Sequence, residues 1–564
     1  MSSTYDLTPV RTPALRGFIL RLVVVLLERP RVAALLASLV TRGLGVRDFR
    51  VAHVQESPTF LPLHSCEIKD ESCDPGETDI PELRRSGPGF RYHRIRDFHE
   101  LYKNREVSPE EVAERVLQAI AASDRMTPPM RAFIGCDRED VLRQAHEATE
   151  RYRQGRVLGP LDGVPIAIKD EVDMVPYGTT GGTSFLGKEP AARDSTVVAR
   201  LRRAGALLLG KTNMHEIGIL PDGLNPHYGV ARNPYNPLHD TGGSSSGSAA
   251  AVAAGLCPAA IGADGGGSIR IPASFCGVVG LKPTFGRVSE YGALPLCWSV
   301  AHLGPIAATA EDAALLYVAM AGPDPCDGNT LPQPSITVAD ASGDLKGVRI
   351  GIYPQWSSDA EPEAVAACES LLHELARQGA ELVDVAIPEL LLLRVAHGLT
   401  IHAEMAANME RYDQDHGRDF GLRTRLMLAN VRSMRSVDYV RAQQIRTRAI
   451  KNFMAALSTA DVIATPTTPV TAPVISERDL PQGVADVSQT IEVMRFVNPS
   501  NFTGLPAITM PVGYDRSGMP IGMQFVARPW NETILFRLAY AADSLVERTK
   551  PATYFDPLPE HGAT

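Results

Sequence analysis

Apolar and polar positions along this chain repeat with two periods. Behind Ser108, Pro109 and Glu111, which supply an N-cap, an N1 proline and the reciprocal N3 acid of a capping box, Val112, Val116 and Ile120 recur at helical spacing and predict a helix. Leu161 to Ile168 is a short apolar run of strand type, Thr196 to Arg203 reads as a helix, and Ala206 to Leu209 reads as a second buried strand. Helices alternating with short apolar strands predict an α/β fold. No repeat of solenoid period is visible.

Ahead of this body the pattern changes. Between Leu15 and Val46, apolar stretches at Leu22 to Leu27 and Val32 to Val40 are interrupted by Arg16, Arg21, Arg29, Arg31 and Arg42. No uncharged run reaches the roughly 18 to 20 residues of a bilayer span, and Arg21, Glu28 and Arg29 break what would be the apolar core of a signal peptide. Two short amphipathic helices hinged at Pro30 are expected. They fit a peripheral membrane contact through residues 15–46, with arginines at the headgroups, and equally a cover over the protein body or over a partner in a homodimer. Thr59 to Gly89, rich in Pro, Glu, Asp and Ser, reads as an extended connector.

Composition narrows the class. The chain has 564 residues, 44% hydrophobic and 21% charged, enough for a large core, and by length alone three or four domains are expected. With Gly 47 and Pro 43 it lies far below a low-complexity chain, which excludes disorder as the dominant state. A formal net charge of −9 argues against nucleic acid as a partner of the whole surface. The eight cysteines form no CxxC pair and no zinc-like spacing, so free thiols in a reducing compartment are expected; Cys66 and Cys73, across a short polar loop, are the pair that could bridge.

Three glycine-bearing segments compete for the chemistry. GALLLGKT, Gly205 to Thr212, satisfies the letters of a phosphate-binding loop, but helical VVARLRRAG precedes it and its supposed loop has strand character, so nucleotide binding is set aside. Gly242 and Gly243 permit a tight turn before a small-residue helix from Ser248 to Gly255. Gly265, Gly266 and Gly267 lead into Ser268. Consecutive amides without side chains can converge beside a hydroxyl, as an oxyanion hole requires, although a flexible turn explains the same residues.

A serine nucleophile needs a base. No histidine has a recognisable placement: His397 and His402, five apart, do not share a helix face, and His215-Glu216 lacks the second histidine of a zinc helix. Lys169 ends the apolar run Val164 to Ile168, where burial would penalise its charged form; a surface or structural lysine is the other reading.

Together these segments resemble the amidase signature family of serine hydrolases, from about residue 95 to 546 with a divergent middle. By that resemblance GVPIAIKD puts a catalytic lysine at Lys169, GGSSSGSAAAVAAG puts a bridging serine, held through a cis peptide, at Ser244, and GADGGGSIRIPASF puts the acyl-enzyme nucleophile 24 residues later at Ser268. The resemblance also implies an oxyanion hole at Gly265, Gly266 and Gly267, a substrate contact at Ile219, and support from Ser245 and from an Asp264–Arg270 ion pair. Ser246 stands where glycine is commoner and Ala263 where threonine or serine is, both outside the triad.

The implied fold is one large α/β domain over 95–550, with a central mixed sheet and a divergent substrate-channel region at 330–460, replacing the three or four domains suggested by length. An N-terminal helical extension and connector at 1–94 and a tail at 551–564 flank it. Leu390 to Leu393, Ile401 to Met409 and Ile217 to Leu220 are expected channel walls, though core helices explain them as well. Within the family, DGVPIAIKDEVDMVPYGTTGGTSFL, GKTNMHEIG and NPHYGVARNPYNP are similar to plant fatty acid amide hydrolases. This implies an intracellular enzyme, cytoplasmic or at a membrane surface, that cleaves N-acylethanolamine or related lipid amides with no metal or organic cofactor. A broad hydrolase of aryl amides, small amides or carbamates, or a glutamine-dependent amidotransferase subunit, shares the same residues.

Overall fold

The computed structural model describes residues 5–29, 31–32, 44–65, 87–338, 344–432 and 434–559. The Pro30 hinge, most of the second N-terminal helix, Cys66, Cys73 and the middle of the connector lie outside the described residues.

Thirteen strands are described: β1 (Phe133–Gly135), β2 (Pro165–Lys169), β3 (Leu207–Thr212), β4 (Leu224–Asn225), β5 (Gly229–Val230), β6 (Ala259–Ala263), β7 (Val279–Lys282), β8 (Leu303–Ala307), β9 (Arg349–Ile352), β10 (Glu381–Asp384), β11 (Val462–Pro466), β12 (Ala507–Tyr514) and β13 (Pro520–Ala527). Eleven of them form one mixed sheet in the order β1-β3-β2-β6-β8-β7-β12-β13-β11-β9-β10, while β4 and β5 pair separately. The α/β class and the central mixed sheet are as expected. β2 runs parallel to both β3 and β6, with Ile168 opposite Ile261 across the β2–β6 pair. These three strands are buried along their whole length, which explains why each reads as a small or apolar run rather than an alternating one.

The helices that matter for the site are α1 (Gly17–Leu27), α2 (Pro109–Asp124), α3 (Thr196–Arg203), α4 (Ser246–Ala253), α5 (Arg270–Phe275), α6 (Leu390–His416), α7 (Leu422–Val431) and α8 (Ser436–Thr459). α2 has the predicted box: the Ser108 hydroxyl accepts the Glu111 N–H at 3.2 Å and Glu111 Oε2 accepts the Ser108 N–H at 2.8 Å. α3 spans the predicted residues, and the strand after it continues through Gly210, Lys211 and Thr212. The letters of the phosphate loop are therefore strand, with no loop amides to cradle an anion.

α1 has two apolar faces. Leu20, Val24 and Leu27 are buried against Leu422, Leu426 and Ala429 of α7, whereas Phe18 (77% exposed), Ile19 (60%), Leu22 (46%) and Val25 (40%) face outward. Glu28 pairs with Arg425 at 2.7 Å and fixes the helix end. Among the described residues no helix is long and apolar enough to cross a membrane.

Candidate active site

Strand direction assembles the site. Because β2 and β6 are parallel neighbours, their C-terminal ends open on the same edge of the sheet, where α/β folds place their ligands. Lys169 is the last residue of β2, and the segment Asp264 to Ser268 follows β6. α4 immediately precedes β6 in the chain, packs on β2 and β6, and begins just after Ser244 and Ser245. Three segments distant in sequence thus meet at one edge.

Lys169 is 1% exposed. Its Nζ donates to Ser244 Oγ at 2.8 Å and to the Ala263 carbonyl at 3.2 Å, and Glu171 Oε2 lies 2.8 Å away as an ion pair. The Gly243–Ser244 peptide is cis. Gly243 has to be glycine, since a Cβ there would lie 2.2 Å from the Asp222 carbonyl oxygen. Ser245 fastens the two serine segments together: its N–H donates to the Ser268 carbonyl at 3.2 Å, and its hydroxyl donates to the Ala263 carbonyl and accepts the Ala263 N–H, both at 3.2 Å. Ser268 is partly exposed while Lys169 and Ser244 are buried. Its backbone is tied to Ser245, and among the described residues its hydroxyl makes no hydrogen bond to Ser244.

The glycine loop is held by a buried acid. Burial would raise the Asp264 carboxyl, but the Arg270 charge and the surrounding donors outweigh it and hold that carboxyl well below the usual carboxylate range. Arg270 Nε donates to Asp264 Oδ2 at 3.0 Å, with neither side chain exposed, and Asn501 Nδ2 donates to Oδ1 at 2.9 Å. The Gly267 N–H also donates to Oδ1, at 2.6 Å. Of the predicted oxyanion donors, Gly267 is therefore already engaged, whereas the amides of Gly265, Gly266 and Ser268 have no protein acceptor among the described residues.

Around the loop the walls are mostly apolar. A Cβ on Gly265 would meet Cys297 and Ile401, one on Gly266 would meet Met494 and His397, and one on Gly267 would meet Val497 and Ile271. Gly218 puts its Cβ position 3.2 Å from Ser244 Oγ, and the next residue, Ile219, is buried in the cluster that contains Leu296, Cys297 and Leu399. Leu390 to Leu393 and Ile401 to Met409 both belong to the single 27-residue helix α6.

Two residues near the site were not singled out by the sequence. Glu171 follows Lys169 by two positions, a spacing that carries no signal by itself. His397 comes from α6, and its Nε2 lies 2.9 Å from the Gly265 carbonyl oxygen. Burial lowers its pKa to about 4, so the ring is neutral at neutral pH, and a carbonyl can only accept, so Nε2 carries the proton. His402 instead donates from Nδ1 to the Gly398 carbonyl of its own helix. His215 and Glu216 take no part in a metal helix: Glu216 pairs with His227 at 2.6 Å, and His215 lies 3.7 Å from Asp222.

Comparison with known proteins bears on the whole chain. The family model described as Amidase matches residues 113–536. The chain is 39% identical to a fatty acid amide hydrolase of Medicago truncatula, covering 99% of this chain and 97% of that protein. It is 36% identical to a glutamyl-tRNA(Gln) amidotransferase subunit of Thermosynechococcus vestitus, over 81% of this chain and 98% of that protein. The crystal structure of the peptide amidase from Stenotrophomonas maltophilia superposes with a TM-score of 0.69 at 31% identity, over 82% of this chain and 98% of that one.

Proposed function

Since the chain belongs to the amidase family and is an amide-hydrolysing enzyme, we propose that it works through a Ser268–Ser244–Lys169 triad on lipid amides such as N-acylethanolamines. The observation that carries the triad is the buried contact of 2.8 Å between Lys169 Nζ and Ser244 Oγ, at the edge where the Ser268 loop emerges. Lysine acts as a base only in its free amine form, and Glu171 Oε2 lies 2.8 Å from Nζ.

The neutral amine then takes the Ser244 proton while Ser244 takes the proton of Ser268, whose oxygen forms the bond to the amide carbonyl carbon. The free amides of Gly265, Gly266 and Ser268, with that of Gly267 shared with Asp264, stabilise the oxyanion. Collapse breaks the C–N bond as the relay returns a proton to the leaving amine. Water, deprotonated by the same relay, cleaves the acyl-enzyme to the free acid.

Two observations favour lipid amides. Similarity to the plant fatty acid amide hydrolase extends through the N-terminal extension, whereas similarity to the amidotransferase protein covers 81% of the chain. The loop is walled by Ile401, Met494 and Val497, and Leu296 lies against the Gly218 position beside Ser244, side chains suited to an acyl chain. The outward face of α1 is the surface by which such an enzyme would collect substrate from a lipid interface. The test is a panel of long-chain N-acylethanolamides, short aliphatic amides, anilides and glutamine compared by kcat/KM. A preference for long acyl chains supports the proposal; a preference for anilides or glutamine replaces it.

A further inference from the structure

Three consecutive glycines have no side chains to restrain them, so each peptide plane of the loop needs an anchor from elsewhere. The structure supplies one for each. The Asp264–Gly265 plane is held where the Asp264 carbonyl accepts Asn501 Nδ2 at 2.8 Å. The Gly266–Gly267 plane is held where the Gly267 N–H donates to Asp264 Oδ1. The plane between them, Gly265–Gly266, is held by the hydrogen bond from His397 Nε2 to the Gly265 carbonyl.

We propose that His397 is a positioning residue for amide hydrolysis: by fixing the Gly265 carbonyl it fixes the direction of the Gly266 N–H, a donor to the oxyanion. The inference rests on the reading of Ser268 as nucleophile. A trans peptide is planar, with its C=O and N–H antiparallel, so an anchored carbonyl leaves the N–H no independent orientation. His397 is buried, so water does not compete for the bond. The ring is pre-set by its surroundings, standing edge-on to Phe502 at 6.1 Å between centroids. The charged and titratable groups around it are Arg446 and His402, which oppose a second ring proton, and Asp264, which favours one; burial decides for the neutral ring. Since both forms donate from Nε2, the anchor operates across the working pH range. Through this contact α6, which lies in the region where family motifs fade, sets the geometry of the catalytic loop as well as its apolar wall.

The experiment compares His397→Leu with His397→Gln, whose amide nitrogen reaches the place of Nε2. With the best amide of the panel, H397L is expected to lower kcat by about 10- to 100-fold with KM little changed, less than the roughly 100- to 1000-fold cost of losing an oxyanion donor outright because the Gly266 N–H is misaimed rather than removed, and H397Q is expected to recover most of it. A trifluoromethyl ketone, which forms a tetrahedral adduct, should lose affinity for H397L in proportion to kcat/KM, while the product carboxylic acid should bind both variants as it binds the parent. Wild-type kcat in H397L, equal losses in H397L and H397Q, or equal losses of affinity for the ketone and the acid would overturn the proposal. Should H397L not fold, H397N, whose amide is too short to reach Gly265, is read by the same measures. Failure of the Ser268 reading itself is separate, because it would appear as amide hydrolysis surviving in S268A.

Discussion

Arg270 and Asp264 face each other at 3.0 Å with no exposure to solvent, and Arg270 Nη1 continues to Ser500 Oγ at 2.7 Å and Gln524 Oε1 at 3.0 Å. The pair joins the glycine loop to the helix Asn498–Thr503 and to β13. Removing one partner of a buried pair leaves an uncompensated charge and costs about 3–5 kcal/mol. Arg270→Met should therefore lower the melting temperature markedly, with Arg270→Lys in between, since an ammonium cannot make the forked contacts. Because the Asp264 carboxyl is held below its ordinary range, this stability is present above about pH 4 and is lost as pH falls further. Equal melting temperatures for all three proteins would contradict the account.

Asp240 behaves in the opposite sense. Burial, and then the charge on Asp222, push its carboxyl up to about 7, while its Oδ1 accepts the amides of Gly223 at 2.8 Å and Gly242 at 3.0 Å, just ahead of Ser244. Between about pH 4 and 7 the folded chain keeps a proton that the unfolded chain has lost, so this group's contribution to stability declines as pH rises. Asp240→Asn keeps the accepting oxygen and removes the titration. Its stability relative to the parent should increase from pH 5 to 8 in urea unfolding; parallel curves would show that Asp240 does not titrate in that window.

In the proposed triad Lys169 is the base, with Nζ 2.8 Å from Ser244 Oγ. Lys169→Met, which removes the amine, should abolish amide hydrolysis while leaving the fold intact, read by kcat/KM on the best amide of the panel and by the melting temperature. Activity near that of the parent in K169M would remove lysine from the role of base.

α1 calls for point substitutions rather than deletion, because its inner face covers Leu422 and Leu426 and deletion would expose them. Replacing Phe18, Ile19, Leu22 and Val25 by serine should reduce co-sedimentation with phospholipid vesicles while leaving the melting temperature unchanged. Unchanged partitioning together with loss of a dimer in analytical ultracentrifugation would assign that face to a second copy of the chain.

Local chemistry was legible wherever the determinants are local. The capping box of α2, the limits of α3 and the strand ending at Lys169 follow from neighbouring residues, and the motif residues Lys169, Ser244, Asp264 and Ser268 meet because parallel strands bring their C-terminal ends to one edge. His397 was illegible because its partner, Gly265, is 132 positions away, and the helix face it occupies is set by the packing of α6. The engagement of the Gly267 amide by Asp264 was equally hidden, since glycine sequence fixes no hydrogen-bond direction. For the N-terminal segment the two readings did not exclude each other, as one short helix presents an apolar surface on both sides.

The central claim is that Ser268 forms the acyl-enzyme. Reaction with a fluorophosphonate, followed by proteolysis and mass spectrometry of the modified peptide, reads the nucleophile directly. The account predicts one adduct, on Ser268, absent in S268A and formed much more slowly in S244A and K169M. An adduct on Ser244, or full labelling of S268A, would contradict it.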